Sequence, residues 1–428
     1  MRRVKKIIRK IVPEKLILVF WHFPQSFLAA LINGFPARKL TVIGVAGTKG
    51  KTTTAYLLSQ VLEGTGKKVA MISTAFVKIG EEEELNNIKM TTPSPFFLQG
   101  FIKKAVEVGC KYLVLETSSH ALVQHRTLGI PFKTVVLTNM MPDHLEYHQT
   151  KEEYSDSHLK MIKPQLKYLV INGDDPNLSG FLKTQSYLAK KITFGVGDEK
   201  TISVTDIILN FKGSIFNIKT EKFSDKINLS LLGKFNIYNA LATIAVGLSE
   251  NIELDIIKKI LVDVGGVPGR VERIDCGQEY EVIVDYAHSP DSLVSLFDGV
   301  SCFKKNKIIT VYGACGDRDP RTRPLMGQVI EKNSDYIIIT NDDPYTEDPN
   351  KIADDLLSGI KIKKEGESLW KIFDRKLAIE KAISIAERDD LVLILGKGAE
   401  QWQIFKDKKI PWDDREIVRE AIKKKSKD

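Results

Sequence analysis

The sequence predicts an α/β protein in which helices cover a mostly parallel sheet. Short apolar runs rich in β-branched residues recur along the chain, as at 112–116 and 134–138, and helix-like segments separate them. Such uniformly apolar runs indicate strands buried on both faces, which is typical of parallel sheets. Polar or glycine-rich residues follow the ends of these runs. Because ligands bind at the carboxyl ends of parallel strands, we expect the functional site at that edge.

One strand-to-helix junction gives the clearest functional signal. The stretch 41–54 reads TVIGVAGTKGKTTT, and the residues after it have the apolar spacing of a helix. A strand that breaks into glycines and then starts a helix is how a backbone binds phosphate. Gly47 and Gly50 let the chain approach the anion, Lys51 can reach the terminal phosphates, and the Thr52 hydroxyl can hold Mg²⁺. The stretch therefore predicts binding of ATP and Mg²⁺.

The other elements follow from the same patterns. Before residue 200 we predict a helix at 96–108 and strands at 69–73, 112–116, 134–138 and 168–172. Residues 200–232 alternate as an antiparallel patch does, and a helix is predicted at 236–249. The glycine- and proline-rich stretch 265–269 is a hinge candidate. After it we predict strands at 281–285, 307–312, 336–340 and 391–395.

These patterns divide the chain into three predicted parts. Residues 1–40 form a short basic and apolar helical segment. Residues 41–267 form a P-loop parallel-sheet ATPase domain, and residues 268–428 form a Rossmann-like α/β C-terminal domain that binds the second substrate. The length of 428 residues is ample for two or three cores of this kind.

Composition limits the classes of function. The chain is 43% apolar and carries a net charge of +8, but basic and acidic residues are interspersed over most of it. This favours a solvated surface over a nucleic-acid interface. The four cysteines have no paired spacing, which favours reduced cytosolic thiols over a disulfide framework or a zinc site. They are Cys110, Cys276, Cys302 and Cys315.

The N-terminus departs from that even distribution of charge. Residues 1–10 are strongly basic, and residues 16–35 are largely apolar. His22, Pro24 and Gln25 interrupt the apolar run, which disfavours a membrane span. We expect a basic amphipathic helix pair that packs on the body of the protein or rests on an anionic membrane surface. Because an ATP-using domain follows at once, we expect a cytoplasmic protein.

Polar clusters follow several predicted strands. Glu116 ends one strand, and His144 follows the next, so both are candidate Mg²⁺ ligands beside the phosphate loop. In the second half, strand ends carry carboxylates, arginines and glycines, as in DDPYTEDP at 342–349 and GKGAE at 396–400. A rim that mixes these charges can bind a zwitterionic amino acid.

Ten motifs in a fixed order make this chain resemble the Mur ligase family, most closely its MurE type, over residues 41–420. They are GVAGTKGKTTT, TTP, ETSSHALVQHR, TNMMPDHLEYH, LLGKFNIYNALA, GVPGRVERI, VDYAHSPDSL, GDRDPRTRPLMG, DDPYTEDP and GKGAE. Enzymes of this type add the third amino acid to UDP-N-acetylmuramoyl-dipeptide. ATP phosphorylates a carboxylate of the acceptor, the amine of the incoming amino acid attacks the acyl phosphate, and phosphate leaves.

The resemblance implies a role for particular residues. Lys51, Glu116 and His144 would be catalytic, and Thr52, Glu116 and His144 would bind magnesium. The implied nucleotide contacts are Gly47, Thr48, Gly50, Lys51, Thr52, Thr53, Asn236, Asn239, Arg270, Asp285 and His288. The implied substrate contacts are Thr91, Thr92, Ser118, Gln124 and Arg126 for the muramoyl peptide, and Arg323, Asp342, Asp343, Gly396 and Glu400 for the incoming amino acid.

The chain departs from the family pattern at three points. His158 stands where the family has a carbamylated lysine that binds a second magnesium. About 40 residues precede the phosphate loop, fewer than the uridine-binding domain of MurE enzymes requires. The motif reads DDPY, where the diaminopimelate-adding form reads DNPR, and Tyr345 cannot make the bidentate carboxylate contact of an arginine. The amino acid that is added, lysine or another, therefore stays open.

The sequence thus predicts an ATP-dependent acid–amino-acid ligase of peptidoglycan precursor synthesis. We expect it to be monomeric, with small-molecule substrates, no nucleic-acid partner and a possible peripheral membrane contact through residues 1–35. One alternative is a related ligase that acts on a folyl-polyglutamate-type or cyanophycin-type carboxylate. The other is an ATP-binding partner subunit without turnover, which the histidine at position 158 suggests.

Overall fold

The computed structural model describes residues 17–426, apart from positions 87, 89, 142–144, 149, 179, 182–188, 198 and 407. The chain forms two compact units. The first comprises the described residues up to Ile208 together with Ser214–Leu229 and Phe235–Val264. The second comprises Leu209–Gly213, Ser230–Lys234 and the described residues from Gly265 onward.

The first unit is built on a twisted, mostly parallel sheet. Its strands are β1 (Thr41–Ala46), β2 (Val69–Ile72), β3 (Phe76–Ile79), β4 (Glu82–Leu85), β5 (Tyr112–Glu116), β6 (Phe132–Leu137), β7 (Tyr168–Asn172), β8 (Lys190–Val196), β9 (Ile202–Asn210), β10 (Gly213–Lys219) and β11 (Ser224–Leu229). They lie in the order β11-β10-β9-β8-β7-β6-β1-β5-β2-β3-β4. Strand β1 pairs in parallel with β5 and β6. Their three carboxyl ends therefore meet at one edge.

Helices cover this sheet. Those of the first unit are α1 (Phe23–Ile32), α2 (Lys51–Glu63), α3 (Pro95–Glu107), α4 (Ser119–Val123), α5 (Leu145–His148), α6 (Lys151–Leu159), α7 (Lys234–Ser249) and α8 (Leu254–Asp263). Leu98 and Ile102 of α3 are fully buried in one cluster with Leu113 of β5 and Val135 of β6. That apolar layer fixes the strand ends that carry the polar residues.

The second unit is a doubly wound α/β sheet. Its strands are β12 (Glu272–Arg273), β13 (Glu281–Asp285), β14 (Ile308–Tyr312), β15 (Tyr336–Ile339), β16 (Leu369–Lys371) and β17 (Leu391–Leu395), with a hairpin of β18 (Trp402–Phe405) and β19 (Lys408–Pro411). The main sheet has the order β12-β13-β17-β14-β15-β16, and its neighbours pair in parallel apart from β12 with β13.

Alternate residues of each strand in the second unit feed two separate cores. Ile283 packs in one cluster and Val282 in the other, as a side-chain period of two requires. The helices are α9 (Pro290–Val300), α10 (Thr322–Asn333), α11 (Pro349–Leu357), α12 (Arg375–Ile385) and α13 (Asp414–Lys425). The first three pack on one face of the sheet, and α12 and α13 pack on the other.

The predicted fold class is confirmed, since both units are α/β with parallel sheets. The predicted strands at 112–116, 168–172, 281–285 and 391–395 have the observed bounds, and the others shift by one or two residues. Within 200–232, β10 and β11 pair antiparallel as predicted, but β9 joins β8 in parallel. Hairpin β3–β4 was not predicted, because its acidic strand Glu82–Leu85 lacks an apolar run.

No helix in the described part of the chain is both long enough and apolar enough to cross a membrane. The described residues of the N-terminal region form α1, which is ten residues long and is preceded by a π-helical turn at Leu18–His22. It packs on α3.

A buried ion pair joins α12 and α13 of the second unit. Arg375 Nε donates to Asp414 Oδ1 at 2.8 Å, its NH2 group donates to Asp414 Oδ2 at 2.6 Å, and neither side chain is exposed. The same NH2 group donates to the carbonyl of Leu395, the last residue of β17. This guanidinium therefore fixes the strand end from which the GKGAE loop departs.

We predict that Arg375→Met lowers the free energy of unfolding of the second unit by about 3–5 kcal/mol, because it leaves the Asp414 carboxylate buried without its partner. The Trp412 indole also donates to Asp414 Oδ1 at 2.8 Å, so its fluorescence can follow denaturant unfolding. Arg375→Met/Asp414→Leu should recover most of the loss. The exposed Arg388 is the matched control, and a loss of similar size in Arg388→Met would contradict this account.

Candidate functional site

The phosphate loop of the first unit connects β1 to α2. Gly47 has φ of 130° and Gly50 has φ of 79°, which side-chain-bearing residues rarely adopt. A β-carbon at position 47 would lie 2.6 Å from the carbonyl oxygen of Asn139, and one at position 50 would collide with the Asn239 side chain. Both predicted glycines are therefore required by the conformation and by the packing of this loop.

Residues at the end of β6 hold the phosphate loop in place. Asn139 Oδ1 accepts a hydrogen bond from the Lys49 backbone N–H at 2.8 Å, and Asn139 Nδ2 donates to the Lys49 carbonyl at 2.9 Å. Thr138 Oγ1 donates to the same carbonyl at 2.7 Å. The Thr48 hydroxyl lies 2.9 Å from the Tyr154 hydroxyl. The loop is thus pre-formed by its neighbours.

The chemistry of the loop is that of an anion site. Helix α2 begins at Lys51, so the backbone N–H groups of Lys51, Thr52 and Thr53 lie in its first turn and carry the positive end of the helix dipole. Lys51 Nζ donates to the Thr48 carbonyl at 2.8 Å, which keeps the ammonium over the loop. Thr52 Oγ1 donates to Glu116 Oε2 at 3.0 Å.

Glu116 lies at the carboxyl end of β5 and is buried. Its carboxylate accepts from Thr52, from the Thr74 backbone N–H at 2.7 Å and from the Thr74 hydroxyl at 3.0 Å. A hydroxyl and a carboxylate within hydrogen-bond distance are hard oxygen donors of the kind that Mg²⁺ prefers, so Thr52 and Glu116 fit this ion. The third predicted ligand, His144, lies outside the described residues.

The residues predicted to contact the muramoyl peptide lie next to Glu116. Thr92 Oγ1 donates to the Glu116 carbonyl at 3.0 Å and accepts from the Ser118 backbone N–H at 3.1 Å. Arg126 donates to the Thr92 carbonyl at 2.7 Å and, through two nitrogens, to Gln124 Oε1 at 2.6 and 3.1 Å. The structure therefore brings Thr92, Ser118, Gln124 and Arg126 together, as the resemblance implies.

Thr74 is a residue that sequence reasoning missed. Its hydroxyl lies 2.9 Å from that of Thr91, so it connects Thr91 to the Glu116 carboxylate. The sequence feature that could have identified Thr74 is its position two residues after β2, at the same sheet edge as the ends of β1 and β5.

Asn236 and Asn239 lie near the start of α7 and are buried. Asn239 Nδ2 donates to Asn236 Oδ1 at 2.8 Å, and Asn239 Oδ1 accepts from Thr54 Oγ1 at 3.3 Å. Since Asn239 also lies against Gly50, this pair fixes the phosphate loop from the side of α7.

His158 is buried in α6. Its Nδ1 lies 2.9 Å from the Tyr154 carbonyl, which can only accept, so Nδ1 carries the proton and Nε2 has the lone pair. Nε2 has no hydrogen-bond partner within the described structure. Burial, with smaller contributions from Lys51 and His148, lowers the pKa of His158 to about 4. A neutral imidazole does not fit a position that would need an anionic oxygen for a second Mg²⁺.

In the second unit, three of the predicted nucleotide residues lie close together at the end of β13 and in the segment before β12. The Asp285 carboxylate accepts from the backbone N–H groups of Val271 at 2.8 Å and Ala287 at 2.7 Å. Burial raises the pKa of Asp285, and Arg270 opposes that rise. The Arg270 guanidinium lies 4.6 Å from the Tyr286 ring centroid, and His288 packs on the same ring. Asp285 therefore connects the segment that carries Arg270 with the loop that carries His288.

The predicted amino-acid rim is organised by a lysine that sequence reasoning did not single out. Lys397 is fully buried, and its Nζ lies 3.3 Å from Asp342 Oδ1, 2.9 Å from Asp343 Oδ1 and 3.0 Å from Glu400 Oε2. Burial favours the neutral amine, but the three carboxylates hold the pKa of Lys397 above its ordinary value. The sequence feature that could have identified Lys397 is its position between Gly396 and Gly398, just after a strand.

Three carboxylates around one ammonium leave this rim with an excess of negative charge. Asp342 Oδ2 is buried without a hydrogen-bond partner in the part of the chain that the structure describes. A β-carbon at Gly396 would lie 2.6 Å from this oxygen, so glycine keeps it accessible. The rim is suited to a cationic group of a ligand.

Arg323 is buried beside two further carboxylates. Its NH1 group lies 2.9 Å from both Glu347 Oε2 and Asp355 Oδ2, and its NH2 group donates to the Cys315 carbonyl at 3.2 Å. These contacts use most of its donors. The structure thus places Asp342, Asp343, Gly396 and Glu400 together, whereas Arg323 is held by its own two carboxylates.

Two family profiles match consecutive parts of this chain. Residues 45–247 match the Mur ligase middle domain. Residues 269–398 match the family described as Mur ligase, glutamate ligase domain. Together these segments contain the phosphate loop, the Glu116 network and Lys397 with Asp342 and Asp343, whereas Glu400 follows the second segment.

The curated relatives include UDP-N-acetylmuramoyl-L-alanyl-D-glutamate–2,6-diaminopimelate ligases. The one from Bacillus cereus is 39% identical over 407 residues, which is 93% of this chain and 81% of the relative. The one from Syntrophomonas wolfei is 38% identical over 407 residues, with 94% and 82% covered.

Solved structures agree with these relatives. A UDP-N-acetylmuramoyl-L-alanyl-D-glutamate–2,6-diaminopimelate ligase matches with a TM-score of 0.65 and 30% identity over 90% of this chain and 79% of that one. A folylpolyglutamate synthase from Mycobacterium tuberculosis reaches a TM-score of 0.70 at 15% identity, with 92% and 95% covered. The second likeness concerns the fold alone.

We predict that His158 makes stability depend on pH between its ordinary pKa of 6.5 and its folded pKa of about 4. Because the pKa is lower in the folded protein, the contribution is complete above pH 6.5 and is lost as pH falls toward 4. Between pH 7.5 and 4.5 the wild type should lose about 2–3 kcal/mol more unfolding free energy than His158→Gln.

Urea unfolding at several pH values measures this difference, since the other titrating groups are common to both proteins. NMR of ¹³C-labelled histidine provides the control. The resonance that is missing in His158→Gln should not titrate above about pH 5. Parallel stability curves for the two proteins would contradict the prediction.

Proposed function

The chain belongs to the Mur ligase family, and from that premise we propose that it is an ATP-dependent ligase that joins an amino acid to a carboxylate of a muramoyl peptide. The observation that carries this proposal is the hydrogen-bonded arrangement of Lys51, Thr52 and Glu116 beside the Thr92–Arg126 network. This arrangement would put an ATP phosphate and an acceptor carboxylate at the same sheet edge. We propose that the reaction takes place in the cytoplasm, where ATP is available.

We assign the phosphate loop the transfer of phosphate from ATP to the acceptor carboxylate. The backbone N–H groups at the start of α2 and the Lys51 ammonium neutralise charge on the phosphates, and the rigid loop keeps them in place. Thr48 and Thr53 belong to the same cradle. Arg126, fixed by Gln124 and the Thr92 carbonyl, orients the acceptor together with Thr91 and Ser118.

We assign Mg²⁺ to Thr52 and Glu116, with His144 as a further ligand. When bound, the ion would supply charge neutralisation for the phosphates. The Thr74 contacts orient the Glu116 carboxylate whether or not the ion is present. Because His158 is neutral and buried, we assign no second Mg²⁺ to its position. In the second unit, we assign Arg270 and His288 to nucleotide binding, with Asp285 as their support.

For the incoming amino acid, we propose a basic one that lacks a second carboxylate, of which lysine is the simplest. The excess negative charge around Lys397 favours an ammonium group at Asp342 and Glu400. Neither Asp343 nor Tyr345 has a positively charged side chain that could bind the second carboxylate of diaminopimelate. The named relatives act on diaminopimelate, so this is the point at which the chain would differ from them.

The proposal is tested by measuring phosphate release from ATP in the presence of Mg²⁺ and UDP-N-acetylmuramoyl-L-alanyl-D-glutamate. Amino acids are added one at a time, with product mass as the second readout. Release should require both the dipeptide and one amino acid. Lys51→Met should lower turnover by about 10²–10³-fold because it removes a charge that stabilises the transition state. The exposed Lys103→Met is the matched control. Release with a folate substrate instead of the dipeptide would favour the alternative carboxylate.

We predict that Tyr345→Arg shifts the preference from lysine toward diaminopimelate by about tenfold in the ratio of kcat/KM values, since arginine can bind a carboxylate with two hydrogen bonds. Tyr345→Lys places a charge at the same position without that fork, so it should shift the ratio less. Steady-state kinetics with both amino acids measure this. If the arginine and lysine variants change the ratio equally, recognition at position 345 is not bidentate.

A further inference from the structure

The large apolar side chains of helix α1 face solvent, which is unusual for a helix in water. Its buried residues are small, namely Ser26, Ala29 and Ala30. At about 100° per residue these form one stripe. The residues on the opposite side are large and exposed, namely Phe27, Leu28, Leu31 and Ile32. An amphipathic helix of a globular protein normally has the reverse arrangement.

The turn before α1 extends this surface. Val19, Phe20 and Trp21 are exposed, Phe20 by 74% and Trp21 by 60%. We call these three residues together with Phe27, Leu28, Leu31 and Ile32 the apolar face. A contiguous group of large apolar side chains on one short segment indicates a surface that is covered in the cell.

The charged residues that neighbour the apolar face in the sequence have one sign. Residues 15–62 contain no aspartate or glutamate. Arg38 lies 4.7 Å from the Phe35 ring centroid, and that ring lies 6.4 Å from Phe27. Arg38 and Lys39 are themselves exposed. In the sequence, residues 1–16 comprise seven basic residues and one acidic residue.

A second basic group approaches the same region through His125. The His125 ring lies 5.7 Å from Phe23, the first residue of α1. Burial lowers the pKa of His125, and the positive charges of Lys160 and Lys163 lower it further. Positive charge from a second part of the chain therefore acts on the ring that packs against the first residue of α1.

We propose that the apolar face binds the surface of a membrane that contains anionic lipids. Large apolar side chains would enter the boundary between headgroups and acyl chains, and the basic residues around them would contact the lipid phosphates. Helix α1 has ten residues and is thus about 15 Å long, half the thickness of a bilayer core, so it would lie on the membrane and not across it.

The charges favour this occupant over a second copy of the chain. Two copies that met through their apolar faces would bring two basic borders together, and like charges repel. An anionic membrane instead neutralises them, and each basic residue near such a surface adds to the binding. This inference does not depend on the ligase reaction proposed above.

Sedimentation of the full chain with lipid vesicles tests the proposal. The protein should bind vesicles that contain phosphatidylglycerol, bind pure phosphatidylcholine more weakly, and lose binding as salt is raised. Phe20→Ser/Trp21→Ser/Leu31→Ser should lower the partition coefficient at least tenfold, because three exposed apolar side chains are lost from the contact. The matched control is Val294→Ser/Ile362→Ser/Leu377→Ser, three exposed apolar residues of the second unit, which should bind like the wild type.

Quenching by brominated lipids locates the contact. Tryptophan fluorescence should be quenched in the wild type, and Trp21→Phe should lose that quenching while it still sediments with the vesicles. Absence of binding to anionic vesicles at low salt would overturn the proposal. Equal binding by both triple variants would also overturn it. A dimer in ultracentrifugation that dissociates only in the first triple variant would show that a second copy covers the face.

Discussion

The buried carboxylate of Glu116 is the group on which the site of the first unit depends. Its two oxygens hold the first turn of α2 through Thr52 and the residue after β2 through Thr74. The backbone carbonyl of the same residue accepts from Thr92, which leads on to Arg126. A single strand end thus connects the phosphate loop with the residues assigned to the acceptor. The apolar layer beneath β5 fixes the strand end from which this network extends.

Buried charge plays a different part in the second unit. Arg375 and Asp414 form a closed pair whose donors and acceptors are matched, so it fixes the packing of two helices. Lys397 has three carboxylate neighbours, and Asp342 Oδ2 is left over. The first cluster is complete by itself, whereas the second has capacity for a ligand cation. That difference separates a structural ion pair from the proposed binding rim within one unit.

The N-terminal region shows a conflict between two demands on one helix. Small residues of α1 allow close packing on α3, so the large residues of the helix must point outward. In water this arrangement leaves apolar surface exposed, which is unfavourable in free energy. An anionic membrane surface satisfies both demands, since it accepts the apolar side chains and the basic residues beside them. Attachment of this kind would hold the first unit at a surface without any change in its sheet.

The sequence alone determined the fold class, the phosphate loop and the set of strand ends that carry polar side chains, because these features are local. Periodicity of two or 3.6 residues, glycines at a strand end and short motifs are each written within a few consecutive positions. Lys51, Thr52 and Glu116 were identified in this way. Tertiary structure decided what depends on residues distant in sequence. It made Thr74 a partner of Glu116, placed Lys397 among three carboxylates and left Nε2 of His158 without a partner among the described residues. Tertiary structure also turned the large side chains of α1 outward. From the hydrophobicity of that segment alone, one would expect these side chains to be buried.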